Sequence, residues 1–97
     1  MASVEIARVA REDLVELIDT RSLPADTEER VWRSLLTLEQ FPRSGRTLTG
    51  NWRNCRALVG PWGWLIAVYT YIEREDRVVV VSLQDARAGN SAISSGG

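Results

Sequence analysis

The longest apolar runs of the chain lie in the segment 60–87, on either side of a charged break. The first run, residues 64–72, is rich in aromatic and β-branched side chains, and the second, residues 78–83, contains four consecutive valines. Separated only by the charged residues 73–76, the two runs predict a β-hairpin at the centre of a sheet. Sorted with a period of two, both faces of the first strand are apolar, so we expect both to be covered.

A short strand and two helices are predicted ahead of this hairpin. Residues 4–7 alternate between apolar and polar side chains. Apolar side chains then recur at helical spacing from Ala10 to Ile18, and the alkyl stem of Arg21 falls on the same stripe. Asp26, followed three residues later by Glu29, has the form of an N-cap with a capping-box acid, and it opens a second helix toward Gln40. Because the link between the helices is short, we expect an antiparallel helical hairpin.

The second helix carries a pair of large apolar side chains beside its main stripe. At about 100° per residue, Trp32 and Leu36 fall on the shoulder of the stripe that begins at Val31. Two interpretations stay open for this pair: burial in the core, or an exposed apolar strip that binds a partner protein. On the first helix, Glu12 and Asp13 are expected in the first turn, on a solvated face.

The remaining sequence completes a single α+β domain. Phe41–Pro42 ends the second helix, a turn follows at 43–46, and residues 55–59 have the composition of a strand. The predicted order is β-α-α-β-β-β, a small antiparallel-rich sheet packed by an N-terminal helical hairpin. We expect this domain to span residues 1–87 and the small, polar segment 88–97 to be a flexible tail.

Composition excludes several classes of site. The 97 residues include no histidine and no lysine, so histidine-dependent catalysis and histidine-ligated metal sites are excluded. The lone Cys55 cannot form an internal disulfide, and we expect neither a metal nor another cofactor. No apolar run approaches the ~20 residues that span a bilayer, which predicts a cytoplasmic protein with no membrane partner.

Arginines are concentrated in one short part of the chain. Arg43, Arg46, Arg53 and Arg56 occur together in a segment without acidic residues, although the formal net charge of the whole chain is −1. A protein that binds nucleic acid generally carries a basic surplus or a local basic patch. Any RNA or phosphate binding is therefore predicted at this arginine block.

Several short pieces, taken in order, resemble the RelE/ParE superfamily of toxins from bacterial type II toxin–antitoxin systems. The likeness covers about residues 4–87. It is carried by Ala10 with Asp13-Leu14, by Leu38 and Phe41-Pro42 leading into Ser44-Gly45-Arg46, by Leu48-Thr49-Gly50, by Arg56-Ala57-Leu58-Val59-Gly60, and by Val68-Tyr69 followed by a valine-rich strand that closes at Arg87.

The resemblance implies a growth-inhibiting toxin and two possible targets. Some members of the superfamily cut mRNA on the ribosome, whereas others inhibit DNA gyrase without nuclease chemistry. In the nucleases, basic side chains hold the scissile phosphate, and Arg56 and Arg87 match two such positions, with Arg46 matching a loop arginine. Asp85 is our candidate for the acid–base group, with Glu73 and Tyr69 behind it; pairing with Arg87 is the alternative role for Asp85.

The chain also departs from the superfamily pattern at three places, one of which is that no tyrosine follows Arg87. Where many members carry a tyrosine-arginine pair at the start of the hairpin, this chain has Trp62-Gly63-Trp64-Leu65. Ala86 stands where a histidine often precedes the last arginine. We therefore keep three functions open: an mRNA-cleaving toxin acting on translation, a non-catalytic gyrase inhibitor, and a non-toxic module that only binds an antitoxin. In each, a cognate antitoxin is the expected partner, at Trp32 and Leu36.

Overall fold

The computed structural model describes residues 1–87, and the predicted tail 88–97 lies outside the described residues. The main elements are β1 (Ser3–Ile6), α1 (Arg8–Arg21), α2 (Thr27–Leu35), β2 (Arg46–Thr47), β3 (Arg56–Val59), β4 (Leu65–Ile72) and β5 (Arg77–Asp85). Three short 3₁₀ turns connect them, at Leu36–Glu39, Gly50–Trp52 and Glu73–Glu75. The predicted α+β class, with two helices followed by a hairpin-centred sheet, is confirmed.

The strands form one five-stranded sheet in the order β1-β5-β4-β3-β2. The predicted hairpin is β4–β5, and β3 and β2 extend it on one side in antiparallel fashion. β1 pairs with β5 in parallel, so the sheet is mixed. The edge strand β2 was not predicted, because its two residues are polar and exposed and too few to show a period.

The helical hairpin covers one face of the sheet and forms the main core. Leu65, Tyr69, Val78 and Val80 of the central strands are almost fully buried there against Ala10, Leu14, Val31, Leu35 and Leu38 of the helices and the following 3₁₀ turn. On the other face, Ala57, Ile66 and Val68 are buried beneath Leu48, Trp52 and Cys55. Both faces of β4 are therefore covered, as its two apolar faces predicted.

The start of α1 differs from the prediction. The helix begins at Arg8, so its first turn carries Arg8 and Arg11 rather than acids. Asp13 does not lie on a solvated face: its Oδ2 accepts hydrogen bonds from the Leu83 N–H at 3.0 Å and from the Ser82 hydroxyl at 3.1 Å. β1 pairs with β5 only as far as Val80. The Leu83 N–H therefore has no partner on β1, and Asp13 supplies its acceptor at this edge of the sheet.

The capping prediction for α2 is wrong in its detail. Asp26 occupies the N-cap position, but its side chain makes no capping hydrogen bond. The helix ends at Leu35, and the chain tightens into the 3₁₀ turn before it reaches Glu39. Within residues 1–87, no helix combines the length and the apolar character needed to cross a membrane.

Candidate functional site

The arginine-bearing loop ahead of β2 is anchored to the sheet by two side chains. The Gly45 N–H donates to the Tyr69 hydroxyl at 2.8 Å, and Nη1 of Arg56 donates to the carbonyls of Gly45 at 2.9 Å and Arg43 at 3.1 Å. Arg56 and Tyr69 are direct neighbours across β3 and β4, so both project from the same face of the sheet. Gly45 is required here, because a Cβ atom would lie 2.5 Å from the Tyr69 hydroxyl oxygen.

An open polar cleft of about 250 Å³ lies beside this anchored loop. It is lined by Arg43, Thr47, Leu48, Asn54, Cys55, Arg56, Tyr71 and Glu73. Arg43 lies over the Tyr71 ring, with Cζ 5.3 Å from the ring centroid, and forms an ion pair with Glu73. The cleft thus contains two guanidinium groups and one carboxylate, a composition that suits a phosphate or another anion.

Three other titratable groups, two that line the cleft and Tyr69 beside it, have pKa values raised above their ordinary values. Burial is the main cause that raises the pKa of Tyr69, against the lowering effects of the Gly45 hydrogen bond and the Arg56 charge. The hydrogen bond that Tyr71 donates to Asp76, 2.7 Å long, raises the pKa of Tyr71. Burial raises the pKa of the Cys55 thiol. None of the three therefore supplies a ready proton acceptor.

Asp85 lies in a separate cluster at the other end of the sheet. Its carboxylate, which is 5% exposed, accepts two side-chain bonds from Arg87, at 2.9 and 3.0 Å, and forms an ion pair with Arg21 at 2.6 Å. The hydrogen bonds from Arg87 are the main cause that lowers the pKa of Asp85 to about 2. Such a carboxylate is ionised at neutral pH and only weakly basic.

A column of stacked side chains extends from this cluster. The rings of Trp62 and Trp64 are stacked, with centroids 5.6 Å apart and planes 8° from parallel. The guanidinium of Arg30 lies 4.9 Å from the Trp62 centroid, and that of Arg87 lies 5.0 Å from the Trp64 centroid. The tryptophans that stand in place of the superfamily's tyrosine-arginine pair therefore hold Arg87 in position.

The structure does not bring Arg56 and Arg87 together. Arg56 pairs with Tyr69, whereas Asp85, two residues before Arg87, pairs with Leu65. The four-residue offset along β4 corresponds to roughly 13 Å, and the two strand spacings between β3 and β5 add about 9 Å in the perpendicular direction. The two arginines also bind different partners, the loop carbonyls and Asp85, and so do not converge on one phosphate.

The other predicted site residues have distinct locations. Arg43 lines the cleft, while Arg46 on β2 and Arg53 after the 3₁₀ turn are exposed near it. Trp32 on α2 is 40% exposed and Leu36, the first residue of the following 3₁₀ turn, is half-buried, so both side chains are accessible at the surface. Tyr71 also lines the cleft, which the sequence did not predict. The alternation of side chains along its strand indicated only that Tyr71 lies on an apolar face of the sheet.

Comparisons with known proteins were made by sequence and by structure. No family model matches the sequence, and no curated protein matches it. Among solved structures, the toxin–antitoxin complex RelBE2 from Mycobacterium tuberculosis contains a chain that is 20% identical, with a TM-score of 0.67, over 87% of this chain and 96% of that one. The isolated E. coli RelE toxin is 18% identical, with a TM-score of 0.63, over 98% and 93% of the two chains.

A metal-bound toxin from Helicobacter pylori is similar to the same extent, at 18% identity and a TM-score of 0.67, over 88% of this chain and 94% of that one. The aligned regions cover most of both chains in each case. At these identities the likeness is one of fold. The chain therefore has the fold of the RelE/ParE toxin superfamily, as its resemblance to that superfamily predicted.

Proposed function

We propose that this protein is the toxin component of a type II toxin–antitoxin pair and that it inhibits growth by acting on translation in the cytoplasm. The observation that carries the proposal is a RelE fold in which two arginines of the arginine block, Arg43 and Arg56, line an open polar cleft of about 250 Å³. Arg43 and Arg56 are the groups that would bind an RNA phosphate there, and Arg46 and Arg53 extend the positive surface along the strand of RNA.

Arg56 has a double role in this proposal. Its Nη1 group donates hydrogen bonds to the carbonyls of Arg43 and Gly45. The other N–H groups of the guanidinium are available to bind a phosphate in the cleft. Arg43 is held more loosely, by an exposed ion pair with Glu73 and by the Tyr71 ring. A phosphate entering the cleft would compete with Glu73 for Arg43, at small cost because exposed ion pairs contribute little.

The chemistry of mRNA cleavage needs a proton acceptor near the 2′-hydroxyl of the RNA. Among the described residues that line the cleft, Glu73 carries the one carboxylate, and it is exposed and paired with Arg43, while Asp85 is held at a distance by Arg87 and Arg21. We therefore assign Arg56 to phosphate binding and the Asp85–Arg87 pair to a structural role, in contact with Trp64. Glu73 is the remaining candidate for the base once a phosphate has displaced it from Arg43, and we expect cleavage to need the ribosome to place the RNA against it, so free mRNA should stay intact.

A translating extract with a reporter mRNA tests this function. Purified protein should stop synthesis of the reporter and yield new mRNA ends mapped by primer extension, while the same mRNA without ribosomes should remain whole. Arg43→Ala should weaken inhibition about tenfold or more, since it removes one cleft cation. Arg74→Ala is the matched control, because Arg74 is exposed in the hairpin turn and does not line the cleft. Undiminished synthesis at toxin excess would refute an action on translation.

A gyrase inhibitor is the second candidate. The observation that favours it is the state of the cleft groups: the pKa values of Tyr71 and Cys55 are raised, and Glu73, the one carboxylate among the described lining residues, is ion-paired with Arg43. This candidate predicts blocked supercoiling of plasmid DNA by gyrase, with reporter translation unchanged. Growth that continues during induced expression would contradict both candidates and leave only an antitoxin-binding module.

The antitoxin partner is proposed on the outer surface of α2. Trp32, at 40% exposure, and the half-buried Leu36 are one helical turn apart, and Phe41, at 62% exposure, follows beyond the helix. An amphipathic segment of the antitoxin would cover these side chains. Trp32→Asp should reduce affinity for the protein encoded by the neighbouring reading frame, whereas Val59→Asp, at an exposed position on β3, should not. Equal affinities of the two variants would argue against this placement.

A further inference from the structure

The outer surface of α1 carries a stripe of charged residues that is not used by the fold. Arg8, Arg11, Glu12, Val15, Glu16 and Asp19 recur at helical spacing and are exposed together on one face of α1. Among residues 1–87, none of the five charged side chains of this stripe forms an ion pair. The Arg11 side chain donates one long hydrogen bond, 3.4 Å, from its Nε to the Ile6 carbonyl.

The order of charges along this stripe opposes the dipole of the helix. Arg8 and Arg11 lie in the first turn, where the helix terminus carries about half a positive charge, while Glu16 and Asp19 lie toward the negative end. The usual arrangement is the reverse, with acids in the first turn and bases in the last. The stability of the isolated helix therefore does not account for this arrangement of charges.

The same order of charges is self-complementary when a second α1 lies antiparallel to the first. A twofold axis passing between the levels of Glu12 and Val15 places Arg8 opposite Asp19 of the second copy and Arg11 opposite Glu16 of the second copy. Each contact then occurs twice by symmetry. The two helix dipoles also run in opposite directions, so the basic end of each stripe faces the acidic end of the other.

We propose that α1 mediates a weak, symmetric dimer of this chain through the stripe Arg8 to Asp19. Val9 and Val15, which are 59% and 55% exposed, flank the charged residues and lose contact with water in this arrangement. A helix of 14 residues is about 21 Å long, so the buried area stays well below the ~1,600 Å² of a standard interface. The dimer should accordingly be weak and should depend strongly on salt, because exposed ion pairs are screened.

This inference is independent of the proposed function. The arginine-lined cleft borders β2 and β3, the proposed antitoxin surface lies on α2, and the dimer surface is formed by α1 alone. Failure of the dimer would leave the toxin proposal standing, and a protein without toxicity would still be able to dimerise.

Sedimentation velocity on the full chain, from about 10 to 500 μM, tests the proposal. At 50 mM NaCl the protein should show a monomer–dimer equilibrium, and at 500 mM NaCl the dissociation constant should rise about tenfold or more. A protein that stays monomeric at low salt, as expected if α1 binds only a different partner, would overturn the proposal. Dimerisation that is insensitive to salt would overturn it as well.

Charge-reversal variants locate the interface. Arg8→Glu with Arg11→Glu, and separately Glu16→Arg with Asp19→Arg, should each abolish the dimer by placing like charges opposite each other. Both exchanges bring the charges into agreement with the helix dipole, so each variant should melt no lower than the parent protein. Loss of the dimer then cannot be ascribed to misfolding. An equimolar mixture of the two variants should restore a heterodimer, and a mixture that stays monomeric would contradict the antiparallel pairing.

Discussion

The buried hydroxyl of Tyr69 offers the sharpest test of how the arginine-bearing loop is held. The change Tyr69→Phe keeps the ring, which is fully buried in the core, and removes only the oxygen that accepts the Gly45 N–H at 2.8 Å. Gly45 is itself buried, and the bonds from Arg56 to the Gly45 and Arg43 carbonyls hold the loop in place. The Gly45 N–H is therefore left without an acceptor in a site that water does not readily reach.

The size of the effect follows from this loss of one acceptor. A buried N–H without a partner costs about 1–3 kcal/mol, whereas the retained ring adds little cavity cost. We expect Tyr69→Phe to lower the free energy of unfolding by about 2 kcal/mol. In a domain of this size, a change of that magnitude lowers Tm by about 10 °C.

Tyr71→Phe is the matched control, since it makes the same chemical change two residues away on the same strand face. The Tyr71 hydroxyl donates to Asp76 at 2.7 Å in an exposed site, where water can replace the bond. We expect this control to change stability by less than about 0.5 kcal/mol. Urea titration of both variants measures the difference, and hydrogen exchange at the Gly45 amide reports the loop directly.

Equal stability of the two variants would contradict this account of the loop, and so would a Gly45 amide that stays as protected in Tyr69→Phe as in the parent protein. Either result would mean that the loop finds another acceptor or is solvated. The cleft would then depend on Arg56 alone for its shape.

Three further outcomes are expected. Gly45→Ala should cost at least about 2 kcal/mol in urea titrations, because its Cβ atom would lie 2.5 Å from the Tyr69 hydroxyl oxygen and 2.7 Å from the ring carbon Cε1. Asp13→Ala should cost about 1–2 kcal/mol and expose the Leu83 amide to hydrogen exchange, since it removes that amide's acceptor. Because the pKa of Asp85 is lowered in the folded protein from 3.8 to about 2, its stabilising effect is complete above the unfolded value and is lost as the pH falls through 2. Asp85→Asn should therefore reduce the acid-induced loss of stability between about pH 5 and 2 by about 1–2 kcal/mol, after allowance for the exposed Arg87, and an unchanged slope would contradict the assignment.

The central hairpin and the two helices were predictable because their signals are local. Four consecutive valines beside an aromatic run favour strands in almost any context, and apolar residues at helical spacing favour helices on one side of a core. The arginine block was equally predictable, because the positions of charged residues can be read directly from the sequence. The fold class, the hairpin and the location of the basic surface thus follow from the order of residues along the chain.

The chemistry of the site was decided by contacts between residues distant in sequence. Arg56 and Arg87 look equivalent as strand-end arginines, yet the register of β3, β4 and β5 separates them, and each binds a different partner. Asp13, which has the periodicity of a solvated helix face, covers a strand edge 70 residues away. A carboxylate or guanidinium gains its pKa and its role from what the folded chain places within about 3 Å of it, and no local pattern encodes that distance.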